Sequence, residues 1–288
     1  MRSGTLVRMT SIAVIGCGKI GEALVAGLTA AGVDPATVTV SNRREERSAE
    51  LTERYGVTAV TDNSEAATGA EIVFLCVKPD KTLAVAEEIA DTVNDNEPTS
   101  TVASMAAGVT LASLEAAMGA GAPVVRVMPS TPMTVGKGVS AIAAGRSLDH
   151  PAADAVAELL PSVGDVVRVA ESDMDAVTAL AGSAPAYLFL VAEALVDAGV
   201  SLGLRREVAT QLAAGSVAGA GAMLEQEGAD PAVLRAAVSS PAGTTVAALR
   251  QLEESGLRGM FFRATEACAC RSAELGAVDE EAEEGGEE

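Results

Sequence analysis

The chain is 288 residues long, with a mass of 28.8 kDa, 49% hydrophobic residues and a mean hydropathy of +0.29, which is enough apolar material for one or two cores and excludes a largely disordered chain. Its 40 acidic residues outnumber 20 basic ones, and the net charge of −20 repels nucleic acid. His150 is the one histidine, and Cys17, Cys76, Cys268 and Cys270 are scattered or in a C-x-C spacing; this composition argues against a Ser-His-Asp triad, a metal site or a disulfide framework, and suits a reducing cytoplasm.

Met1–Arg8 is short and polar and lacks the apolar run of a signal peptide, which leaves Met9 as a second candidate start. Ser11–Ile15 reads as a buried strand, after which Ile20, Leu24 and Leu28 recur at helical spacing as far as Gly32. Val38–Ser41 predicts a second strand and Glu45–Tyr55 a second helix. Ile72–Val77, Thr101–Ser104 and Val124–Met128 read as further strands, separated by helices over Thr82–Val93 and Leu111–Met118. Ser140–Ala143 and Val166–Val169 are shorter strand candidates flanking a helix over Ala152–Leu160, with His150 in the polar turn that starts it. Near-continuous apolar strands alternating with helices predict an α/β domain with a doubly wound parallel sheet, a dinucleotide-type domain, over residues 1–170.

From Glu171 the pattern changes to helix alone: Asp173–Leu180, Ala186–Ala198, Arg206–Gln226, Ala232–Val238, Thr245–Glu254 and Met260–Leu275. An all-α domain is therefore expected over residues 171–278. Its helix around Leu212–Met223 is loaded with Ala, Gly and Ser, which lets another helix approach closely, either within the domain or between subunits. Residues 279–288 are nearly all Glu, Ala and Gly and read as a disordered acidic tail. No run reaches the ~18 consecutive apolar residues of a membrane helix, so no membrane span is expected.

Gly16-Cys17-Gly18-Lys19-Ile20-Gly21 fits G-x-G-x-x-G between a predicted strand and a predicted helix. Gly16 suits the tight turn, Gly18 a close approach to pyrophosphate, and Gly21 close packing of helix on strand. At the end of the second strand a cofactor without a 2′-phosphate wants a carboxylate. Ser41-Asn42-Arg43-Arg44 stands there instead, and hydroxyl and guanidinium groups favour NADP, with NAD as the alternative. Lys78-Pro79, Met105-Ala106-Ala107-Gly108 and Met128-Pro129-Ser130-Thr131-Pro132 each follow a strand, at the ends where open α/β sheets bind ligands. In the helical half, Ser239-Ser240-Pro241-Ala242-Gly243-Thr244-Thr245 lies between two helices, with Thr244 as a candidate N-cap. Uncovered N–H groups and nearby hydroxyls there can take a carboxylate without arginine.

In the order IGCGKIG, FLCVKP, SMAAGV, RVMPSTP, DAVTALAGSAPAYLF, DAGVSLGL and VSSPAGTT, residues 11–276 resemble the Δ1-pyrroline-5-carboxylate reductase family of proline synthesis. The resemblance implies a Rossmann domain followed by a helical domain that interlocks two subunits, in dimers that often assemble into decamers. It implies NAD(P)H-dependent reduction of a small cyclic imine to L-proline. By motif position, Gly16, Cys17, Gly18, Lys19, Ile20 and Gly21 would hold the pyrophosphate. Ser41 and Arg43 would meet the adenosine phosphate, and Asn63 the adenosine end. Cys76, Val77, Lys78 and Pro79, with Met105, Ala106 and Ala107, would line the nicotinamide side. Ser240, Thr244, Thr245 and Glu171 would bind the substrate. Ser130, Ala184, Ala242 and the pair Ala236-Ala237 depart from the family pattern near that pocket.

A protonated imine is already electrophilic, so positioning can supply most of the effect without a catalytic histidine. Thr245 is the catalytic candidate, as a hydroxyl hydrogen-bonded to the ring nitrogen. A 3-hydroxyacid dehydrogenase of similar architecture relies on a lysine from its helical domain, and no lysine follows Lys137. A non-catalytic NADP sensor would leave the Ser240–Thr245 segment an empty helix start, and an acidic scaffold would explain none of the strand-end motifs. The acidic surplus, few aromatics and only four lysines among the 20 basic residues resemble proteins of salt-loading organisms.

Overall fold

The computed structural model describes residues 10–119, 123–144 and 150–284. The candidate start at Met9 and residues 285–288 of the expected tail lie outside the described residues. Contacts divide the chain into two compact units, one made of residues up to Gly182 together with those from Cys268 onward, the other of Ser183–Ala267.

The first unit opens with β1 (Ile12–Ile15), α1 (Lys19–Ala30), β2 (Val38–Ser41), α2 (Glu45–Tyr55), β3 (Thr58–Val60) and α3 (Asn63–Ala67). It continues with β4 (Ile72–Leu75), α4 (Pro79–Asp95), β5 (Thr101–Ser104), α5 (Leu111–Met118) and β6 (Val124–Pro129). β7 (Gly138–Ala144), α6 (His150–Leu159), β8 (Gly164–Arg168) and α7 (Met174–Val177) complete the run. The eight strands form one sheet in the order β3-β2-β1-β4-β5-β6-β7-β8. The chain leaves β1 first toward β3 and then, from β4, in the opposite direction, so the switch point falls between β1 and β4.

Alternation along each strand divides the core between the two sheet faces. Ile12, Val14, Ile72 and Phe74 pack with Leu24, Leu28, Leu51 and Val156 on one side. Ala13, Ile15, Val73 and Leu75 pack with Ile89, Leu114 and Met118 on the other. These strands are buried on both faces, which is why they read as unbroken apolar runs.

The expected all-parallel sheet needs one correction. β7 runs antiparallel to β6, while β8 returns parallel to β7. The connection from Pro129 to Gly138 holds only a short 3₁₀ turn, Thr131–Val135, and a parallel crossover needs about a dozen residues or more. Between β7 and β8 the crossover is α6, and the parallel direction is restored. β3 and α3 were not expected; they are three and five residues long and too short for a periodic signal.

The unit boundary also differs from residue 170. Glu171–Gly182 is a broken helical segment, a 3₁₀ turn, then α7, then a π turn over Thr178–Gly182. Met174 in it is fully buried in the second core cluster, so the segment packs as part of the sheet unit. Helical periodicity reports an apolar stripe and not which element the stripe meets.

The second unit is helical: α8 (Ala184–Ser201), α9 (Arg206–Leu224), α10 (Pro231–Ala237), α11 (Thr244–Glu254) and the first part of α12 (Leu257–Glu284). α8 and α9 form a hairpin turned at Gly203, with Gly199 lying close to Ala209. Much of the apolar surface here is open in the single chain, with Phe189 69%, Leu190 66% and Phe262 73% exposed. On α9 only Ala209 and Ala213 are buried, so the small-residue helix is not covered within its own chain. The helical stretch Glu171–Ser201 is long and apolar enough by length and composition to cross a bilayer. A search for unbroken apolar runs misses it, because Glu193 and Asp197 interrupt the sequence. α12 runs on to Glu284, so residues 279–284 are helical rather than part of a disordered tail; Ala and Glu are strong helix formers.

Candidate functional site

At the switch point, Gly16 has φ +80°, and a Cβ there would overlap Val77 Cγ1. The N–H groups of Gly16 and Cys17 both donate to the Ser41 carbonyl, at 3.2 and 3.1 Å, which ties the turn to the end of β2. Above Gly18 a Cβ would meet only the Gly16 carbonyl, at 4.0 Å, so its outer side is open to a ligand. At Gly21 a Cβ would sit 3.2 Å from Val14 Cγ1 and 3.3 Å from Cys76 Cβ, so here the helix lies close on the sheet. The first helical bond of α1 runs from the Glu22 N–H to the Gly18 carbonyl, and no side chain caps the helix. The N–H groups of Lys19, Ile20 and Gly21 therefore point out of the helix end toward an anion.

Cys17, inside this turn, is fully buried, and burial pushes its thiol up to about 12 against a small opposing effect of the Arg47 charge. It is a neutral packing residue in this turn.

The end of β2 is knitted to its surroundings. Ser41 Oγ donates to Asn63 Oδ1 at 2.7 Å and accepts the Gly16 N–H at 3.3 Å, while Asn63 Nδ2 donates to Glu88 Oε2 at 3.0 Å. Asn42 donates to the Cys17 carbonyl at 3.3 Å and accepts the Arg44 N–H at 3.1 Å. Beside this loop is a groove of about 310 Å³, lined by the glycine turn with Lys19 and Glu22, and by Asn42, Arg44, Glu46, Arg47 and Glu50. Ser41 is buried and committed to internal bonds, and Arg43 is exposed but does not line the groove; the cations that do are Lys19, Arg44 and Arg47. A larger groove between α2 and β3, about 620 Å³, is lined by Glu45, Glu53 and Glu65 with no cation, and does not suit a phosphate.

A cluster that the sequence did not disclose closes the first groove. Glu22 accepts hydrogen bonds from Arg47, from Arg54 at 2.7 Å and from the Tyr55 hydroxyl at 3.1 Å, and Arg47 also pairs with Glu50 at 2.9 Å. Burial pushes the Glu22 carboxyl up, but the hydrogen bonds from Arg47 and Tyr55 and the arginine charges outweigh it and hold the group below its ordinary value.

The next two strand ends adjoin the turn. Val77 packs against Gly16, Lys78 occupies the N-cap position of α4 and Pro79 its first turn. The Cys76 thiol donates to the Met105 thioether at 3.5 Å and is pushed far up by burial. Met105 and Ala106 are buried and Ala107 half-buried, so they offer a flat ring mainly their backbone. Ser130 is also buried, and its hydroxyl accepts the Val139 N–H at 2.8 Å, bracing the turn into β7.

Glu171 is placed differently from a free pocket carboxylate. Its Oε1 accepts from buried Arg126 at 2.7 Å and from the Leu111 N–H at 3.1 Å, which anchors the segment after β8 to the start of α5. Its Oε2 is buried and makes no hydrogen bond among the described residues.

In the second unit, Ser240–Gly243 forms a tight turn, with the Gly243 N–H donating to the Ser240 carbonyl at 2.9 Å. Gly243, not Thr244, is the N-cap of α11. The backbone passes so close to Ser240 that a Cβ at Gly243 would overlap Ser240 Oγ. No side chain caps the helix, and its first bond runs from the Ala247 N–H to the Gly243 carbonyl. The N–H groups of Thr244, Thr245 and Val246 remain for a ligand. Thr244 is exposed and Thr245 half-buried in this first turn, and Ser240 in the preceding turn is exposed.

An uncapped glycine turn at a switch point, with Lys19 and Arg44 in the groove at the end of β2, defines an NADP-binding oxidoreductase of the Rossmann class. Residues 11–108 match the family described as NADP oxidoreductase, coenzyme F420-dependent, and residues 171–275 match pyrroline-5-carboxylate reductase dimerisation. The chain is 58% identical to a pyrroline-5-carboxylate reductase of Corynebacterium melassecola, over 93% of this chain and 99% of the relative. It superposes with a TM-score of 0.88 on such a reductase from Coxiella burnetii, at 35% identity over 93% of this chain and 99% of the other. For the Plasmodium falciparum pyrroline carboxylate reductase solved with NADP bound, the TM-score is 0.81 at 26% identity, over 93% and 98% of the two chains. The chain belongs to the pyrroline-5-carboxylate reductase family.

Proposed function

We infer that this chain is an NADPH-dependent reductase that converts Δ1-pyrroline-5-carboxylate into L-proline. One observation carries the reading: the 58%-identical relative extends through both units, so the glycine turn and the Ser240–Thr245 segment belong to a single chemistry. The site residues fit the dinucleotide, because Gly18 is open above, α1 is uncapped and Lys19 and Arg44 face the groove without an ion-pair partner among the described residues. When bound, the reduced cofactor supplies a hydride to the C=N carbon, and the π pair moves onto nitrogen.

The chain's own groups hold and orient. The α1 N–H groups take the pyrophosphate, and Lys19 and Arg44, together with exposed Arg43, serve the 2′-phosphate. Asn63 acts by holding Ser41, which in turn holds the turn at Gly16. The backbone at Cys76–Pro79 and Met105–Ala107 borders the nicotinamide. The N–H groups of Thr244 and Thr245 and the Ser240 hydroxyl receive the substrate carboxylate. The Thr245 hydroxyl meets the ring nitrogen and steadies it as charge leaves the iminium. Glu171 serves the pocket only by bracing α5.

The functional particle is a homodimer or a higher assembly of dimers. Support comes from the dimerisation match over residues 171–275 and from the open apolar faces of α8 and α12. The same match covers Glu171–Ser201, so a second copy rather than a bilayer is its partner. A cytoplasmic setting belongs to this reading, supported by cysteines that form no disulfide among the described residues, and a net charge of −20 suits a salt-rich one.

The deciding experiment follows NADPH oxidation with pyrroline-5-carboxylate, in dilute buffer and in molar KCl, with NADH for comparison. Rapid turnover that prefers NADPH and rises with KCl is expected. A folded protein that binds NADPH and turns over no pyrroline-5-carboxylate in either buffer overturns the assignment.

A further inference from the structure

The cofactor groove has a charge problem that its geometry resolves. Three cations line it, Lys19, Arg44 and Arg47, but so do three carboxylates, Glu22, Glu46 and Glu50. A cofactor with its pyrophosphate on the glycine turn and its ribose at the end of β2 brings the 2′-phosphate to this groove. A bare carboxylate on α1 would repel it. Glu22 is not bare. Arg47 reaches it from α2, Arg54 and Tyr55 reach it from the end of the same helix, and Arg47 pairs with Glu50 as well. Glu22 and Arg47 keep only 22% and 17% of their side-chain surface, so this pair is poorly screened by solvent. Lys19 and Arg44 carry no ion pair among the described residues, which leaves their charge for the ligand.

We propose that Arg47 is a positioning residue for cofactor choice that acts through Glu22. By covering the Glu22 carboxylate it keeps a negative charge from facing the 2′-phosphate of NADPH. This rests on the NADP reading of the groove but not on the identity of the imine. Discrimination therefore comes from two sources, direct attraction by Lys19 and Arg44 and the silencing of an acid that would otherwise favour NADH.

The test is direct binding of NADPH and NADH to the whole protein, followed by nucleotide fluorescence, so it needs no substrate and stands even if the imine assignment fails. Arg47→Gln should weaken NADPH about tenfold, the scale of one uncovered charge near a phosphate, while NADH changes less than about threefold. Adding Glu22→Gln to that variant should restore NADPH to within about threefold of the parent. Glu22→Gln alone releases Arg47 and should raise the preference for NADPH; it also keeps the test decisive if Arg47→Gln does not fold. Three results overturn the proposal: unchanged NADPH binding in Arg47→Gln, equal loss of both nucleotides, or loss of NADPH that Glu22→Gln does not repair, which would make Arg47 a direct phosphate ligand. A fall in NADPH preference in Glu22→Gln alone overturns it as well.

Discussion

Thr245 and Ala242 sit three residues apart and carry opposite consequences. Thr245 is in the first turn of α11, whose N-terminal end no side chain caps. In the proposed reading the hydroxyl meets the ring nitrogen only as the reaction proceeds, so Thr245→Val should lower kcat by about tenfold to a hundredfold with NADPH affinity unchanged. Stopped-flow reduction alongside nucleotide titration checks this, and an unchanged kcat removes the hydroxyl from the mechanism. Ala242 holds φ 58°, the one left-handed non-glycine residue among those described. A Cβ in that region costs roughly 1 kcal/mol, so Ala242→Gly should raise the melting temperature by about 2–4 °C. A lower melting temperature would mean that the flexibility gained by the unfolded chain outweighs the relieved strain. At this scale legibility follows sequence distance. The tight turn at Gly16, the open side of Gly18 and the close packing at Gly21 were readable because the motif is six contiguous residues. Glu22 finds Arg47 and Tyr55 at separations of 25 and 33 positions along the chain, with no local pattern to announce the meeting. Ser41 was readable as a strand-end hydroxyl, but not as one spent on Asn63 and Gly16.

Among elements, the strands buried on both faces were legible and the marginal ones were not. β1 and β4 declare themselves by unbroken apolar runs, whereas β3, at a sheet edge, is three residues with one exposed. The reversal at β7 is written in the length of the connection before it and not in any strand residue. α9 shows the limit of composition: its Gly, Ala and Ser content predicts close approach but not by what. In the structure a Cβ at Gly215, Gly219 or Gly221 would meet nothing within 4 Å of its own chain. Gly219→Leu is therefore harmless to the isolated subunit, and it raises helix propensity by up to about 1 kcal/mol. In an assembly whose partner lies on this face, the same side chain blocks the approach. Light scattering should show the dimer mass replaced by that of a single chain, at unchanged helical content. An intact dimer with this variant would put the contact on another face of the helical unit.

At the scale of the whole molecule, charge and assembly act against each other. Each chain carries −20, so two copies brought together repel through their acidic surfaces. Meanwhile the apolar residues of α8 and α12 favour their union, and that attraction does not depend on screening. Salt decides the balance. The screening length falls from about 10 Å at 0.1 M to about 3 Å at 1 M. Dimerisation should therefore tighten steeply between dilute buffer and molar KCl, and the melting temperature should rise with it. Sucrose at matched osmolality strengthens burial without screening charge, so it should reproduce little of either change. Sedimentation at a fixed protein concentration across a KCl series, read against the sucrose series, separates the two effects. Equal responses to KCl and sucrose would show that self-repulsion does not limit assembly, and would count against the proposed salt-adapted surface.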